Sequence, residues 1–434
     1  MTYPIWDLWD GTGRLRELRS LRQSQYLDSD RLRQLQLERL RAIVSYAHRN
    51  CRFYRERWAK VPRLDRLDDL RQIPIVEKAD VGAHVDDLIS SEFKSESLVA
   101  AKTGGSTGVA LRVYFDEPTQ KARNAAAMRT DGWAGWRPGS MIAGLWGTPP
   151  VPVTLKEKIR NTFHDRLIFL DTMRLDEASM TQFAATMRRL EPEMLFGHAH
   201  SLFIFAQFLQ QRGIPVPRVD GIISTSMMLI DSERKVIESV FGSPVTNRYG
   251  CEEVGLIGSE CEVHRGMHLN SEHVFVEFIR EDGEPAQPGE EGRIVVTDLM
   301  NRGMPLIRYA VGDMGVPSAR RCECGRGLPL MERLTGRTAD FLKRRDGSRV
   351  AGISLVEKTL TAIPGLGQLQ IVQEKLDEFV LNLVPSPEYT EHAGRELEGV
   401  LRTEFGEDVR IHLNKVERLT QERNAKYRFS ICKV

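Results

Sequence analysis

Residues 100–116 read AAKTGGSTGVALRVYFD, and this stretch decides how the rest of the chain is interpreted. Glycines that lie this close together cost backbone entropy, so the chain must turn sharply there or let another group approach closely. Hydroxyls and unhindered backbone amides are the donors that phosphate oxygens accept from. The stretch predicts a phosphate-binding loop ahead of a strand, with a plain hairpin turn as the alternative. The loop consists of Thr103, Gly104, Gly105, Ser106, Thr107 and Gly108.

The loop does not match the nucleotide-binding loops of kinases or P-loop ATPases. No Gly-Lys-Ser or Gly-Lys-Thr closes it, and no helical pattern follows it. The residues that come next, VALRVYFD at 109–116, have the alternation of a strand. A different class of nucleotide-binding protein is therefore indicated.

Composition restricts the possible partners. A chain of 434 residues is too long for one compact domain, so we expect two or three units. Hydrophobic residues make up 41% and charged residues 28%, which is ordinary for globular proteins. Lys and Arg total 61 against 60 Asp and Glu, so no overall field attracts nucleic acid or an anionic membrane. We expect neither as a partner.

The chain has no apolar run of the roughly 18 to 20 residues that a membrane span needs. Its start, MTYPIWDLWDG, has no basic stretch followed by an apolar one, so we expect a cytoplasmic protein. Six cysteines are too few for a disulfide scaffold and are expected to be thiols. Four of the six lie in one third of the chain: Cys251, Cys261, Cys322 and Cys324.

The N-terminal segment, residues 1–75, is rich in Arg and Leu and poor in Gly. We expect Asp30 to cap a helix there. The spacing of the following apolar residues predicts an amphipathic helix whose arginines face solvent. The apolar face comprises Leu32, Leu35, Leu40, Ile43, Val44 and Ala47.

Residues 98–335 alternate short β-rich runs with helical ones, such as the helical run at 201–213. Many of the β-rich runs are apolar on both faces. Strands buried on two sides with helices between them are typical of an α/β architecture rather than a sandwich. The runs predicted as strands are 141–147, 166–171, 221–225, 245–250 and 292–299.

After Gly336 the pattern changes to a smaller α+β unit, with strands predicted at 377–385 and 409–416 and a helix at 391–406. The polar stretch RTADFLKRRDG, which begins at Arg337, interrupts both patterns. We therefore predict two domains, residues 1–336 and 337–434.

Three further stretches carry candidate site residues. YGCEE at 249–253 follows a β-rich run, so Tyr249 and Glu253 are expected at the open end of a strand. In RYAVGD the final Asp313 follows a glycine and can accept hydrogen bonds from a vicinal diol. QERNAKYRF at 421–429 places Lys426 in a polar loop.

Taken together, the order, spacing and residue types resemble the acyl-adenylate-forming superfamily. Within it they are similar to the phenylacetate-coenzyme A ligase branch, including its shorter capsular-polysaccharide-associated relatives. The resemblance covers nearly the whole chain. It implies an ATP-dependent ligase with a large N-terminal α/β domain, whose β-sheets are flanked by helices, and a small mobile C-terminal α+β domain. It also implies a small carboxylic acid as substrate, a thiol or amine acceptor, and a homodimer as one possible assembly.

The resemblance assigns the phosphate loop, and Thr107 in particular, to the β- and γ-phosphates of ATP. It places Tyr249 and Gly250 beside the adenine and acyl groups. Glu253 would bind Mg²⁺. These roles suit the chemistry, because a carboxylate that approaches an anionic phosphorus must be neutralised by a metal and a cation.

The remaining nucleotide contacts follow in the same way. Asp313 would accept from the ribose hydroxyls, with Arg337 of GRTAD assisting. Lys426 would stabilise the charge that develops between the carboxylate and the α-phosphate. No protein nucleophile is required, because transfer at phosphorus depends mostly on positioning and electrostatics.

The chain departs from the family pattern at several points. The loop continues with VAL at 109–111 instead of Lys or Thr and then Pro, and STSMML at 224–229 replaces a common Gly-Glu pair. Ala339 lies where a hinge Asp or Lys is usual, and Asn424-Ala425 replaces a small residue followed by Gly. None of these changes removes a charged catalytic group, so we expect a divergent but active enzyme.

Two distant stretches offer pairs of soft ligands, which suit a tetrahedral structural Zn²⁺ that joins two loops: SECEVHRGMH offers Cys261 with His264 or His268, and RRCECGRG offers Cys322 and Cys324. Similarity to the family branch favours His268 over His264 as the partner of Cys261. The alternative is four buried side chains without a metal. The second pair, Cys322 and Cys324, has CxC spacing, which is less specific than CxxC.

Three residues are candidates for the substrate pocket. GHAHS at 197–201 contains His198 and His200 where the family builds part of its acyl pocket, although a loop histidine is more often a cap or a packed side chain. Cys251 is a spare metal ligand by type, but its place inside YGCEE indicates that it lines the active site.

Two questions stay open at this stage. Coenzyme A is the family's usual acceptor, and an amine acceptor giving an amide is the other possibility. A noncatalytic nucleotide-binding protein with the same fold is a third reading. The presence of Glu253, Asp313 and Lys426 together argues against it.

Overall fold

The computed structural model describes residues 14–102, 111–147, 154–172, 175–337, 341–420 and 427–434. Within these ranges no helix combines the length and the apolar character that a bilayer crossing demands. Short 3₁₀ turns and one π turn occur besides the α-helices. The α-helices are α1 (Arg14–Ser24), α2 (Ser29–Asn50), α3 (Arg52–Arg57), α4 (Lys78–Ala83), α5 (Val85–Leu88), α6 (Glu117–Trp133), α7 (Leu155–Arg160), α8 (Glu177–Leu190), α9 (Ala199–Arg212), α10 (Asp231–Phe241), α11 (Gly352–Ala362) and α12 (Glu391–Phe405).

The strands occupy most of the remaining chain. They are β1 (Val99–Lys102), β2 (Arg112–Phe115), β3 (Ile142–Trp146), β4 (Leu167–Asp171), β5 (Met194–His198), β6 (Gly221–Thr225), β7 (Val245–Cys251), β8 (Gly255–Glu260), β9 (Met267–Leu269), β10 (Val274–Ile279), β11 (Gly292–Asp298), β12 (Tyr309–Ser318), β13 (Leu330–Arg337), β14 (Phe341–Lys343), β15 (Arg349–Ala351), β16 (Leu366–Lys375), β17 (Glu378–Pro385), β18 (Arg410–Lys415) and β19 (Ser430–Cys432).

One sheet of 11 strands forms the centre of the fold, in the order β10-β11-β12-β13-β9-β8-β7-β6-β5-β3-β4. The half from β4 to β7 is parallel, and α8, α9 and α10 cross between its strands. The α/β class predicted from the sequence is confirmed. The five strand positions predicted between residues 141 and 299 are also found.

The other half of the sheet differs from the expected alternation. In this half, from β7 to the edge strand β10, neighbouring strands pair antiparallel. Residues 251–337 contain no helix. Antiparallel neighbours need only a short turn, whereas parallel ones need a crossover such as a helix. The apolar β-rich runs of the two halves look alike in sequence, so the pattern did not separate them.

The N-terminal helices pack against this antiparallel half. Asp28, rather than Asp30, caps α2, because its side chain accepts a hydrogen bond of 2.9 Å from the amide of Arg31. The predicted apolar face is buried except for Leu35, which is half-buried, and Gln36 takes a buried place beside it. A separate sheet in the order β18-β17-β16-β19 lies in the C-terminal part, with α12 against it.

Candidate active site

The candidate site lies where the parallel strands β5, β6 and β7 end. Gly197, Ser224 and Asn247 are neighbours across these three strands, so the carboxyl ends of the strands reach the same edge of the sheet. Ligands of α/β sheets bind at such an edge. Tyr249 and Cys251 lie at the carboxyl end of strand β7, and Glu253 follows in the turn to β8.

Tyr249 and Asp313 contact each other directly. The Tyr249 hydroxyl donates a hydrogen bond of 2.8 Å to Oδ2 of Asp313. Asp313 follows Gly312, whose φ of 89° lies in the region that favours glycine. In the antiparallel pair β12–β13, Asp313 is opposite Arg337. The structure therefore brings together a tyrosine, an aspartate and an arginine backbone that the sequence had placed around one nucleotide.

Glu253 is buried, and a phenol and an ammonium group both approach its Oε1. The hydroxyl of Tyr309 donates a hydrogen bond of 3.0 Å to its Oε1, and the Nζ of Lys78 lies 3.7 Å from the same oxygen. Burial, together with the nearby charge of Glu253, raises the pKa of Tyr309 well above its ordinary value. The phenol therefore stays protonated and acts as a donor to Glu253.

Sequence reasoning missed Lys78 and Tyr309. Tyr309 belongs to RYAVGD, so a signal was present in a motif already singled out. Lys78 begins α4, far from YGCEE in the chain, and nothing in its local spacing marks it. Only the packing of α4 near β12 places its ammonium group beside Glu253.

Cys251 and Gly250 line the same edge. Burial raises the pKa of the Cys251 thiol well above its usual value, and the charge of Glu253 acts in the same direction. A neutral thiol suits a pocket wall and not a nucleophile. A Cβ at Gly250 would lie 2.4 Å from the carbonyl oxygen of Gly255, so this position requires glycine for backbone packing.

His198 ends β5 and is buried beside the ring of Trp146. The ring of Trp146 lies 4.2 Å from the His198 ring, and Trp146 also stacks on Phe196 at 5.4 Å between centroids. His198 thus lies at the edge where the substrate pocket was predicted. His200 lies elsewhere, in the first turn of α9, against the C-terminal part of the chain.

Several predicted site residues lie outside the described residues. These are Thr103, Gly104, Gly105, Ser106, Thr107, Gly108 and Lys426. The strands that flank the predicted phosphate loop are described: Lys102 of β1 pairs with Arg112 of β2 in an antiparallel hairpin. The loop therefore joins the two strands of a hairpin, and a strand does follow it.

A second cluster lies between the β8–β9 turn and the loop that joins β12 to β13. Its four ligand atoms all lie within 4.8 Å of one another. Sγ of Cys261 is 3.6 Å from Sγ of Cys322, and Sγ of Cys324 is 3.2 Å from Nε2 of His268. Two thiolates that bind one tetrahedral Zn²⁺ at about 2.3 Å each are about 3.8 Å apart, so the spacing fits.

The pKa shifts of two of the four side chains, His268 and Cys324, favour metal binding, whereas burial raises the pKa of the Cys261 and Cys322 thiols. Nδ1 of His268 lies 3.2 Å from the carbonyl oxygen of Leu328 and donates to it, which directs Nε2 toward the cysteines. Burial lowers the pKa of His268 to about 4, so the ring is neutral. Burial raises the pKa of Cys324, but hydrogen bonds from the backbone and side chain of Arg326 outweigh it and leave the value below the usual range.

Comparison with protein families gives one domain match. The family described as the CapK C-terminal domain matches residues 342–433. Among curated proteins, the chain is similar to a phenylacetate-coenzyme A ligase of Thermus thermophilus. The two are 28% identical over 403 residues, which cover 89% of this chain and 88% of the relative.

Solved structures share the fold over nearly the whole chain. A 2-hydroxyisobutyryl-CoA ligase in its postadenylation state, in complex with an adenylate, has a TM-score of 0.74 at 18% identity and covers 94% of this chain and 90% of that chain. The same ligase in its thioesterification state, with adenylate and CoA, has a TM-score of 0.62 at 19% identity and the same coverage. The arrangement of this chain is nearer to the first.

Proposed function

Since this chain is a relative of the phenylacetate-coenzyme A ligases and has the fold of the adenylate-forming ligases, we propose that it is an ATP-dependent, AMP-forming ligase. It activates a small carboxylic acid and passes the acyl group to a thiol or amine. The observation that carries the proposal is the meeting of Tyr249, Asp313, Glu253 and Lys78 at the carboxyl edge of β7.

In the first half-reaction a carboxylate oxygen of the acid attacks the α-phosphorus of ATP. The bond from that phosphorus to the bridging oxygen breaks, and pyrophosphate leaves with the electron pair. Both reactants are anions, so the site must supply positive charge where the two approach. Lys426 would supply it from the C-terminal part, and Lys78 of α4 would add positive charge beside the Glu253 carboxylate, where the phosphates of ATP bind. A magnesium ion held by Glu253 would neutralise phosphate charge when bound.

The nucleotide is held by groups around β12. The carboxylate of Asp313 exchanges its hydrogen bond from Tyr249 for the ribose hydroxyls, and Arg337 assists from the opposite strand. The hydroxyls and amides of residues 103–108 hold the β- and γ-phosphates. The ring of Tyr249 lies beside the adenine and the acyl group.

In the second half-reaction the acceptor attacks the acyl carbon of the adenylate. The bond from this carbon to the phosphate oxygen breaks, AMP leaves, and the acceptor proton passes to solvent or AMP. Coenzyme A is the acceptor that we propose, because it is named for the curated relative and for the structural neighbours. His198 and Cys251 contribute to the wall of the acyl pocket.

We assign the four-residue cluster to a structural Zn²⁺ site. The ligands Cys261, His268, Cys322 and Cys324 would bind the metal as a closed tetrahedral set and join the segment from Cys261 to β9 to the loop between β12 and β13. All six cysteines of the chain are unpaired, which fits a reducing compartment such as the cytoplasm.

We further propose that residues 337–434 form a lid that rotates on residues 1–336 about 337–341. Rotation would withdraw Lys426 after adenylation and admit the acceptor, which is a hinge-type closure. Residues 1–336 are called the body below.

Pyrophosphate release in the presence of ATP, Mg²⁺ and a panel of carboxylic acids tests the proposal, with phenylacetate as the first probe. Mass spectrometry of the products separates consumption of coenzyme A from formation of an amide. Lys426→Ala should abolish pyrophosphate formation while the protein keeps its fold and its ATP binding. A wild-type protein that releases no pyrophosphate with any acid would be a noncatalytic nucleotide-binding homologue.

A further inference from the structure

His200 lies at the junction between the body and the lid, where none of the proposed chemistry takes place. It is completely buried in the first turn of α9. Its Nδ1 contacts Oε1 of Glu233, which is itself buried in the first turn of α10. The two residues belong to helices that follow β5 and β6, so the pair is fixed to the edge of the body's parallel sheet.

The other side of the imidazole faces the lid. Nε2 of His200 lies 3.2 Å from Oε1 of Gln368 on β16. The ring of Tyr427 approaches the His200 ring edge-on at 4.4 Å between centroids, and that of Phe429 does so at 4.9 Å. One body side chain thus contacts three lid side chains, and a carboxylate behind it fixes its orientation.

Tyr427 directly follows Lys426, and the Cα atoms of consecutive residues are about 3.8 Å apart. A contact that fixes the Tyr427 ring therefore limits the positions open to the backbone of Lys426. A displacement of about 1 Å at a reacting group can lower a rate about 100-fold. The proposed action of Lys426 at the α-phosphate would then depend on where the Tyr427 ring is held.

The junction around this pair is incompletely packed. A cavity of about 190 Å³ lies beside it, lined from the body by Phe203, Ile230 and Glu233 and from the lid by Leu360, Gln368 and Phe429. Among the described residues, Oε2 of Glu233 has no hydrogen-bond partner. Because close packing is absent on one side, a few directional contacts have a large share in holding the lid here.

We propose that His200, oriented by Glu233, is a positioning residue that seats the lid for the adenylation half-reaction. This inference rests on the proposed function. His200 itself contacts neither ATP nor the acid in this proposal. When the lid rotates, the contacts from His200 to Gln368, Tyr427 and Phe429 break, and so the acceptor step does not depend on them.

The test measures the two half-reactions separately in the full chain. Pyrophosphate release reports adenylation of phenylacetate, or of the best acid in the panel. Release of AMP from the purified acyl-adenylate and coenzyme A reports the second step. We expect His200→Ala to lower adenylation about 10- to 100-fold and to leave the second step within about twofold of wild type or faster.

Three further variants show whether the effect comes from the contact between His200 and the lid. Tyr427→Ala removes the lid side of the contact and should give the same split between half-reactions. The double variant His200→Ala with Tyr427→Ala should be no slower than the slower single variant, because both remove one contact. Glu233→Gln should give a smaller loss, since the amide still occupies the place behind the ring.

His392→Ala is the matched control, because this histidine is 70% exposed on the lid helix α12, where it pairs with Glu396 of the same helix. It should change neither half-reaction. Equal losses of both half-reactions in His200→Ala would mean that the residue is merely structural, and no loss in either would also overturn the inference. If wild type makes pyrophosphate while the variants show no split, only this inference fails. If wild type makes none, the proposed ligase activity fails.

Discussion

The cluster at the carboxyl edge of β7 and the cluster of Cys261, His268, Cys322 and Cys324 differ in how their polar side chains are partnered. At the carboxyl edge of β7, each acidic group is already hydrogen-bonded to a phenol, Asp313 to Tyr249 and Glu253 to Tyr309. Between the β8–β9 turn and the β12–β13 loop, two cysteine sulfurs approach to 3.6 Å and a third approaches a neutral histidine nitrogen. The first cluster satisfies its own acceptors, whereas the second brings metal-ligating atoms together.

This difference separates a site that exchanges ligands from one that keeps its ligand. A carboxylate paired with a neutral phenol can change partners when a diol or a metal arrives, because a phenol is a weaker competitor than a cation. Four soft donors that converge in a partly buried place are complementary to a single small cation and have little other use. The first arrangement is typical of catalysis and the second of structural support.

Among the variants that test this comparison, Glu253→Gln should lower the rate of pyrophosphate formation most. The amide has nearly the same shape but no charge for a metal or for Lys78, so we expect the rate of pyrophosphate formation to fall by about 10²- to 10³-fold. The thermal unfolding temperature should change little, because the amide oxygen still accepts from Tyr309. Initial rates at saturating ATP and a melting curve measure the two quantities.

Glu252→Gln is the control for that variant, since Glu252 is the exposed neighbour of Glu253. It should keep both the rate and the melting temperature. If the two variants lose activity equally, Glu253 has no specific catalytic role. The first cluster would then not differ from the cysteine cluster by a function in catalysis.

The sequence predicted much of what these clusters need. YGCEE and RYAVGD drew attention to Tyr249, Glu253 and Asp313, which the structure brings together, because a motif fixes the order of side chains along a strand and strand order then follows from the fold. The pairing of Cys261 with His268 instead of His264 came from the resemblance. In the structure, His268 belongs to the cluster of ligand atoms, whereas Nδ1 of His264 lies 3.4 Å from Oε2 of Glu260.

Other features depend on packing between distant segments, which no local pattern records. Lys78 reaches Glu253 only because α4 packs near β12, and His200 reaches Tyr427 only because the lid rests against α9. The helix cap was assigned to Asp30 instead of Asp28 because two acidic residues precede the same apolar face. The apolar runs of the parallel and antiparallel halves of the sheet are likewise indistinguishable by periodicity.

Cys322→Ser should affect stability and leave the chemistry intact. The variant removes one of four ligands from the second cluster, so we expect the purified protein to lose bound zinc and to unfold with a free energy lower by about 2 to 5 kcal/mol. Its rate of pyrophosphate formation per folded molecule should match wild type at 25 °C. Elemental analysis, denaturant unfolding and initial rates provide the three measurements.

Cys432→Ser is the matched control, because Cys432 is a partly buried thiol of β19 outside the cluster. It should retain the wild-type zinc content. Wild-type protein that contains no zinc after purification without chelators, and none after incubation with Zn²⁺, would contradict the metal assignment. A metal-free Cys322→Ser variant that is inactive although folded would make the second cluster catalytic.

Lys78→Met gives the smallest effect and sharpens the comparison most, because it separates a structural ion pair from a ligand-binding one. Lys78 is 36% exposed and lies 3.7 Å from Glu253, and such pairs contribute about 0 to 1 kcal/mol to stability. If Glu253 binds the metal as proposed, a cation beside it contributes when the phosphates of ATP are present. We therefore expect the KM for ATP to rise about tenfold, equivalent to about 1.4 kcal/mol, with little change in the melting temperature.

The matched control is Lys121→Met, since Lys121 is 34% exposed and pairs with Glu117 at 2.7 Å on α6. Equal changes in KM for both variants would reduce the Lys78–Glu253 contact to an ordinary surface ion pair.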